Sequence, residues 1–415
     1  MTEPLHVLVW GTAHDGACAY FRGYMFDEPL RELGIEMRHI SKVNFKADPE
    51  WADKPVIDAI RAGKLELDTS DLEWADVVVF RRYYNTAIKC KVGCGYLTQD
   101  ASEATMHEHP VSMQDNITRD VWPAVRDHWD GAIIYETDDN HWCIQPWNGY
   151  YPDVLAERDL IADMTRRADL VTTSTPALAD WYSRYNRRIR TIRNAIDPTL
   201  YVKDTPRPAG DKPRLVYYGS TARMRDYAGR YLTGSKADGG GYAFEAVQSR
   251  QRDLTRVFLG TNEGTEAWVG QYFDEQTPYI DSIAKFSKAL ANSHGDIGIA
   301  PLGGDDFDKC KSELHWLEYA ISDMAVIAQR VQTGPGPYSV IRDGVDGLMV
   351  KGRQDWHDAV ARLAKSKDLR EQLAGAAKER VLAEYDYRQR AHEWADAFRW
   401  AAEHAGIGKR QLAAA

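Results

Sequence analysis

The order of elements that decides the fold begins at residues 296–302, whose sequence is DIGIAPL. This short apolar run is typical of a strand that is buried on both faces of a parallel sheet. Apolar residues with helical spacing follow over residues 312–321, and a second apolar run, AVIA, follows at residues 325–328. Strand, helix and strand in this order predict an α/β unit with parallel strands.

The same alternation extends along the chain in both directions. Further strands are predicted at residues 6–10, 35–40, 75–80, 131–135, 168–173, 190–196, 213–218, 255–259 and 347–350. Helices are predicted at residues 18–33 and 117–128, from Pro176 onward, and in the tail at 355–365, 368–385 and 388–405. The pattern therefore predicts an α/β fold in which two parallel-sheet domains face each other across a cleft and end in C-terminal helices.

A break in this pattern predicts where the domains meet. Residues 201–212 are rich in proline, glycine and aspartate, which is typical of a linker between domains. We predict an N-terminal Rossmann-like domain at residues 1–205, a C-terminal Rossmann-like domain at 206–385, and a last helix at 386–415 that packs back on the N-terminal domain.

Composition narrows the class of protein. The chain has 415 residues, and 52 basic against 62 acidic residues give a net charge of −10. This charge disfavours nucleic acid and anionic membranes as partners. No apolar run approaches the roughly 20 residues of a membrane span. Residues 1–10 lack a basic segment, so no signal peptide is expected. Five cysteines fit a reducing compartment, and we expect a cytoplasmic protein.

Polar residues follow several predicted strands, where parallel sheets bind their ligands. The small residues of the loop 11–19, among them Gly16, would let backbone amides approach an anion, or would form only a tight turn. Arg81, Arg82 and Tyr84 follow the third strand and could bind phosphate or sugar hydroxyls, or could be solvated surface residues.

The fourth strand is followed by three carboxylates and an imidazole: Glu136, Asp138, Asp139 and His141. Carboxylates clustered in this way repel one another if they are buried, which favours a functional role over a polar turn. They could serve as a general base, bind an acceptor or, less favourably, hold a metal ion.

The stretch with the most candidate binding residues lies at residues 308–320. Lys309 and Lys311 precede a helix that we predict to begin at Ser312 as its N-cap. The free amides of a helix start favour anions, so two lysines at this point could clamp a diphosphate. Glu318 could accept hydrogen bonds from two vicinal hydroxyls of a ribose. The alternative is an ordinary capped amphipathic helix.

A second cluster has residue types that can bind zinc: Cys90, Cys94, His107 and His109. The histidines have only one residue between them, which does not match the usual structural zinc spacing. We therefore expect no metal and interpret this loop as an acceptor-side flap.

The stretch from Asp296 to Val350 resembles the C-terminal domain of GT-B glycosyltransferases of the glycosyltransferase family 4 type. The resemblance is carried by DIGIAPL at 296–302, Lys311-Ser312, WLEYA at 316–320, VIA at 326–328, GPY at 336–338 and IRDGVDGL at 341–348. Outside this stretch the match is mainly architectural, including Gly219 and Ser220 at the end of the strand 213–218.

The resemblance implies a GT-B fold in which a nucleotide-diphospho-sugar lies in the cleft, mainly on the C-terminal domain. Of the family's two glutamates eight positions apart, Glu318 matches the second, which binds the donor ribose, whereas the first falls at Cys310. Arg223 and Arg225 match a basic pair near the diphosphate. The predicted donor-binding residues are Gly16, Gly219, Ser220, Arg223, Arg225, Lys309, Lys311, Ser312, Glu313 and Glu318.

By the same resemblance, the protein is expected to be a glycosyltransferase that moves a sugar from a nucleotide-diphospho-sugar to an acceptor hydroxyl, with retention and without a metal or other cofactor. Its predicted catalytic residues are Asp138, Asp139 and His141, and its predicted acceptor-binding residues are Arg81, Arg82 and Tyr84. A sugar-nucleotide epimerase and a non-catalytic nucleotide- or sugar-binding protein on the same scaffold remain open. The acceptor could be a protein, a glycan or a small molecule.

Overall fold

The computed structural model describes residues 3–10, 17–40, 42–47, 65–67, 70–81, 87–89, 126, 129–148, 151–156, 158–219, 221–229, 231, 241–262, 266–332 and 334–407. The strands are β1 (Leu5–Trp10), β2 (Ile35–Ile40), β3 (Lys42–Ala47), β4 (Leu65–Leu67), β5 (Val77–Arg81), β6 (Ala87–Lys89), β7 (Ala132–Thr137), β8 (Leu170–Thr173), β9 (Ile189–Thr191), β10 (Arg214–Tyr218), β11 (Thr255–Thr261), β12 (Glu275–Pro278), β13 (Ile297–Ala300), β14 (Ala325–Gln329) and β15 (Leu348–Val350).

The helices lie between these strands and after the last of them. They are α1 (Ala17–Arg22), α2 (Asp27–Glu32), α3 (Ser70–Trp74), α4 (Tyr151–Ala156), α5 (Arg158–Arg167), α6 (Pro176–Tyr182), α7 (Thr221–Ala228), α8 (Tyr242–Gln248), α9 (Glu266–Tyr272), α10 (Ile283–Asn292), α11 (Asp306–Lys309), α12 (Leu314–Ile321), α13 (Arg353–Lys365), α14 (Lys367–Glu384) and α15 (Tyr387–Glu403).

Two six-stranded sheets form the centres of the two halves of the chain. Their orders are β2-β1-β5-β7-β8-β9 and β12-β11-β10-β13-β14-β15, and the paired strands within each are parallel. A small sheet, β4-β3-β6, accompanies the first. The central strands β5, β7, β8, β10 and β13 are buried along their whole length, as helices covering both sheet faces require. The predicted α/β architecture with two parallel sheets is confirmed.

The strand order fixes where a ligand can bind. In each sheet the second strand pairs on one side of the first strand, and a later strand pairs on the opposite side. The strand order therefore reverses between β1 and β5 and between β10 and β13, which are the topological switch points. Ligands of such sheets bind outside the carboxyl ends of the strands at these points.

The last helix returns to the first half of the chain. Ile196 exchanges two backbone hydrogen bonds with residues at the start of α15, one from its N–H to the Tyr385 carbonyl (2.8 Å) and one to its carbonyl from the Tyr387 N–H (3.1 Å). Further along α15, the ring of Trp394 lies 6.0 Å from that of Phe26, and Arg399 donates to the Leu33 carbonyl.

Two predicted elements differ from the structure, and a third lies almost wholly outside the described residues. The helix predicted at 18–33 is divided into α1, a 3₁₀ turn and α2 after Gly23, where a Cβ would lie 2.8 Å from the Ala19 carbonyl oxygen. The strand predicted at 190–196 is observed only as β9, at Ile189–Thr191, and the Asn194 side chain beyond it bonds Ser312. The helix predicted at 117–128 lies outside the described residues apart from Arg126.

Sequence analysis missed β3, β4 and β6 of the small sheet and, in the second large sheet, the strand β12. Its four residues, Glu275 to Pro278, are largely exposed and polar, so they show neither the apolar run nor the alternation that predicts a strand. The strand forms because it pairs with the edge of β11.

Candidate functional site

A cavity of about 370 Å³ lies between the two sheets, at the carboxyl ends of β7, β10, β11 and β12. This volume falls within the range of small-molecule sites. The first half of the chain contributes Ala17, Cys18, Phe21, Arg22, Asp138, Asp139 and Asn194. The second half contributes Tyr218, Gly219, Leu259, Gly260, Pro278, Tyr279, Ile280, Asp281, Ile283, Phe286, Lys311, Ser312, Leu314, His315 and Glu318.

Two glycines let the ends of β10 and β11 approach closely at the cavity wall. A Cβ on Gly260 would overlap the Gly219 carbonyl oxygen, and Gly260 has a φ of +119°. The backbone N–H of Gly219 donates to the Leu259 carbonyl at 3.1 Å. The predicted contribution of Gly219 to the site therefore has a geometric basis in backbone proximity.

We expect Gly260→Ala to destabilise the protein by about 2–4 kcal/mol, because the strained φ and the backbone clash act together. Gly344→Ala is the matched control, since Gly344 also has a positive φ (+77°), but a Cβ added there would meet no other atom within 4 Å. Chemical denaturation measures both. Equal losses of stability in the two variants would show that the contact of a Cβ at residue 260 with the Gly219 carbonyl oxygen does not destabilise the protein.

The two lysines of the predicted clamp differ in position. Lys311 lines the cavity, and its Nζ lies 2.6 Å from Asp308 Oδ1 and 3.4 Å from Asp226 Oδ2. Lys309 does not line the cavity, and its Nζ pairs with Asp306 Oδ1 at 2.6 Å. The side chain of Lys309 is more exposed than that of Lys311. The structure thus brings Lys311 alone of the pair to the cavity.

The helix after Lys311 begins later than predicted. Helix α12 starts at Leu314 with Glu313 as its N-cap residue, so Ser312 is not the cap. The Ser312 hydroxyl instead accepts a hydrogen bond from Asn194 Nδ2 at 2.9 Å, which joins the two halves of the chain at the cavity wall. Glu313 is fully buried beneath it and pairs with Arg193 at 3.4 Å. Burial raises the pKa of Glu313, and Arg193 opposes that rise.

Glu318 reaches the cavity from α12 and is 2% exposed. Its Oε1 accepts from the Tyr201 hydroxyl at 2.9 Å, and its Oε2 accepts from the Tyr218 hydroxyl. Burial raises the pKa of Glu318 to about 7, although both tyrosine hydrogen bonds oppose the rise. The Tyr218 ring stacks on His315 at 4.3 Å.

This raised pKa predicts how stability depends on pH. Because the folded pKa of about 7 lies above the usual 4.5, the group's stabilising contribution is complete below pH 4.5 and is lost as the pH rises to 7. At about 1.4 kcal/mol per pKa unit, the loss is on the order of 3 kcal/mol. Glu318→Gln should remove this fall from the stability–pH profile. An unchanged profile would place the Glu318 pKa near its usual value.

The predicted catalytic residues separate into two groups. Asp138 and Asp139 follow β7 and line the cavity. His141 is buried, and its Nδ1 lies 3.1 Å from the Tyr182 hydroxyl, which also bonds the Asp139 carbonyl at 3.3 Å. His141 does not line the cavity, so its link to the two aspartates runs through Tyr182.

Arg81 does not lie where an acceptor could reach it. It is 4% exposed, its Nε donates to Glu136 Oε2 at 3.2 Å, and its Nη2 donates to the Cys18 carbonyl. Arg22 binds the other oxygen of Glu136 at 2.8 Å and lines the cavity. Glu136 is thus the centre of a buried ion cluster rather than a member of an open acidic group.

The remaining predicted residues lie beside the cavity or outside the described residues. The Arg225 guanidinium stacks over the Trp147 ring at 4.6 Å and does not line the cavity. Gly16, Arg82, Tyr84, Ser220 and the side chain of Arg223 lie outside the described residues, as do Cys90, Cys94, His107 and His109. Within the described part of the chain, no three histidine, cysteine or acidic side chains group as metal ligands.

Cys310 stands where the resembled family has its first glutamate, and it does not line the cavity. It is 1% exposed, its thiol accepts from Asn140 Nδ2 at 3.3 Å, and its carbonyl accepts from the Thr175 hydroxyl at 2.9 Å. This residue therefore joins the segment before Lys311 to the first half of the chain.

Sequence analysis missed several residues that shape the cavity. Phe286, Ile283 and Tyr279 form an apolar wall near the start of α10, while Asn194 and Arg22 come from the other half of the chain. Arg22 carried no motif. The aromatic and aliphatic residues of α10 could not be distinguished from core residues by their pattern.

Comparison with protein-family models matches residues 243–396 to a family described as glycosyl transferase-like. The second half of the chain therefore contains a glycosyl transferase-like domain. No curated protein sequence matches it. Among the described residues, no helix is both long and apolar enough to cross a bilayer.

Solved structures show that the fold is GT-B. The HepE structure from Anabaena in complex with UDP and glucose aligns with 96% of this chain and 100% of that one, at 10% identity and a TM-score of 0.54. WaaG, a glycosyltransferase involved in lipopolysaccharide biosynthesis, aligns over 95% and 99%, at 10% identity and a TM-score of 0.54. The predicted GT-B fold is confirmed. The TarM structure aligns over 78% of this chain but only 54% of its own, at 13% identity and a TM-score of 0.49.

Proposed function

We propose that the enzyme transfers a sugar from a nucleotide-diphospho-sugar to an acceptor hydroxyl, with retention of the anomeric configuration and without a catalytic metal ion. The cavity carries this proposal, because Lys311 and Glu318 from one half of the chain line the same space as Asp138 and Asp139 from the other half. The Lys311 ammonium group suits the diphosphate of the donor, and the buried Glu318 carboxylate suits the two hydroxyls of its ribose. Asp138 and Asp139 suit the hydroxyl of the acceptor. HepE, which has the same fold, binds UDP and glucose.

Lys311 is the group that we assign to the leaving diphosphate. When the bond between the sugar C1 and the diphosphate oxygen breaks, negative charge develops on that oxygen, and a positioned ammonium group stabilises it. In the free enzyme the Lys311 ammonium is balanced by Asp308 and Asp226. These pairs hold the side chain at the cavity wall before the donor arrives.

Glu318 and the apolar wall are assigned to the nucleoside. The carboxylate would accept hydrogen bonds from the two ribose hydroxyls. Ile283, Phe286 and Tyr279 give the neighbouring wall the apolar surface on which a base can pack.

Asp138 and Asp139 are assigned to the acceptor. As the acceptor oxygen bonds to C1, its hydroxyl proton must leave, and a carboxylate within reach can orient that hydroxyl or take the proton. The backbone of Asp139 is fixed by hydrogen bonds from Thr137 (3.1 Å) and Tyr182 (3.3 Å) to its carbonyl. His141 would act through Tyr182 and not by direct contact.

The test is a turnover assay with UDP-, GDP-, ADP- and dTDP-sugars, in chelator and with candidate acceptors. We expect release of one nucleoside diphosphate together with formation of a glycoside of retained configuration. A rearranged sugar nucleotide formed without acceptor would identify an epimerase. Donor binding with no product from any acceptor would identify a non-catalytic binding protein.

A further inference from the structure

Glu318 is held by tyrosines from two separate parts of the chain. Tyr201 belongs to the segment between the two sheets, and Tyr218 is the last residue of β10. Each hydroxyl donates to a different oxygen of the carboxyl group. A carboxyl group bonded through both oxygens cannot rotate about its last torsion without losing both contacts.

Each carboxylate oxygen can accept about two hydrogen bonds, so the two tyrosines leave one site on each oxygen. These two remaining sites are adjacent, as are the two hydroxyls of a vicinal diol. We propose that Tyr201 and Tyr218 are positioning residues that orient the Glu318 carboxylate to bind the ribose diol of the donor. The inference rests on the proposed function, because it assumes that the cavity binds a ribonucleotide.

The Tyr218 hydroxyl is fixed by the packing of its ring. The ring stacks on His315 with 13° between the planes and meets Phe286 and Tyr319 edge-on at 5.0 and 5.2 Å. A ring held on several sides keeps its hydroxyl directed at Glu318. This arrangement is more than core packing requires, since a phenylalanine would fill the same space.

The tyrosines also set the pH range in which the carboxylate is ionised. Their own pKa values are raised well above 10 by burial, so they remain hydrogen-bond donors. Among the described residues, the other titratable groups that face this cluster are His315 and Tyr319 of α12, and Tyr20, which acts on Tyr201. Helix α10 contributes only the non-titrating Phe286 and Ser287 to it. Loss of either tyrosine hydroxyl should raise the pKa of Glu318, because it removes a hydrogen bond to the ionised form.

The experiment measures the dissociation constant of UDP between pH 5.5 and 9 for the wild type, Tyr201→Phe and Tyr218→Phe. A diol binds the ionised carboxylate, so wild-type affinity should fall as the pH drops below 7, by up to tenfold per pH unit. In each variant this fall should begin about one pH unit higher, with affinity recovering at high pH. Tyr319→Phe is the matched control, because its hydroxyl bonds the Ile299 carbonyl at 3.2 Å, and its profile should not move.

Two results would overturn the inference. One is an equal loss of affinity at every pH in Tyr201→Phe and Tyr218→Phe, as a purely structural role predicts. The other is a pH profile that matches the wild type and Tyr319→Phe.

The same variants without ligand separate this inference from the proposed function. The stability of the free protein should continue to fall to a higher pH in Tyr218→Phe than in the wild type, and Glu318→Gln should show no such fall. If no nucleoside diphosphate binds the wild type, the proposed function and the ribose role both fail. The ligand-free profile then still decides whether the tyrosines control Glu318.

Discussion

Glu318→Gln is expected to weaken UDP binding at pH 8 by about 100-fold while leaving the fold intact. A hydrogen bond to a charged group contributes about 1.5–3 kcal/mol, and each 1.4 kcal/mol is a factor of ten in affinity. The amide has nearly the same shape as the carboxylate, but it has no charge and one acceptor oxygen fewer. Because Glu318 is 2% exposed, water cannot substitute for the lost contacts.

A matched ligand makes this prediction specific to the diol. Wild-type protein should bind 2′-deoxy-UDP markedly more weakly than UDP, and Glu318→Gln should bind the two almost equally. Isothermal titration of both ligands with both proteins gives the coupling free energy between the ribose 2′-hydroxyl and the Glu318 carboxylate directly. If the wild type does not distinguish the two ligands, the ribose role of Glu318 is wrong, whatever the variant's affinity.

Lys311→Ala is expected to lower kcat for sugar transfer by about 10²–10³-fold, the usual effect of removing one preorganised group that stabilises transition-state charge. Lys309→Ala is the control in the same segment, because Lys309 pairs with the exposed Asp306 and does not line the cavity. Its kcat should stay within about twofold of the wild type, since such exposed pairs contribute little. Similar losses in both variants would favour a general electrostatic effect over a diphosphate contact.

Lys311→Ala also removes the ammonium group that pairs with Asp226 and Asp308, and these residues are 5% and 2% exposed. Some loss of stability is therefore expected, and thermal unfolding of the variant must accompany the kinetics. Lys311→Arg retains the charge and should recover part of kcat. If Lys311→Arg folds well and is as inactive as the alanine variant, charge alone does not explain the role of Lys311.

The sequence predicted those parts of the molecule that depend on local pattern. The strands β10, β13 and β14 are mainly apolar runs, so their existence and parallel arrangement followed from the sequence. The positions of Lys311 and Glu318 also followed, because both lie in the segment that connects β13 to β14, beyond the carboxyl end of a predicted strand.

The parts that sequence analysis missed depend on contacts between distant residues. Ser312 is a favourable N-cap by residue type, but its hydroxyl accepts a hydrogen bond from Asn194, which is more than a hundred residues away in the sequence. Arg81 has the residue type of an anion site, but Glu136 on the neighbouring strand already pairs with it. Tyr201 lies in a segment whose composition indicated only a linker, yet it bonds Glu318. Competition of this kind between partners is invisible in local sequence.

The most direct test of the account is a titration of the wild type, Lys311→Ala, Glu318→Gln and Lys309→Ala with UDP, GDP, ADP and dTDP in chelator. We predict that one ribonucleoside diphosphate binds the wild type and Lys309→Ala in a 1:1 complex, and binds Lys311→Ala and Glu318→Gln at least tenfold more weakly. Absence of binding by all four nucleotides, or binding that neither cavity substitution weakens, would contradict a donor site between the two sheets.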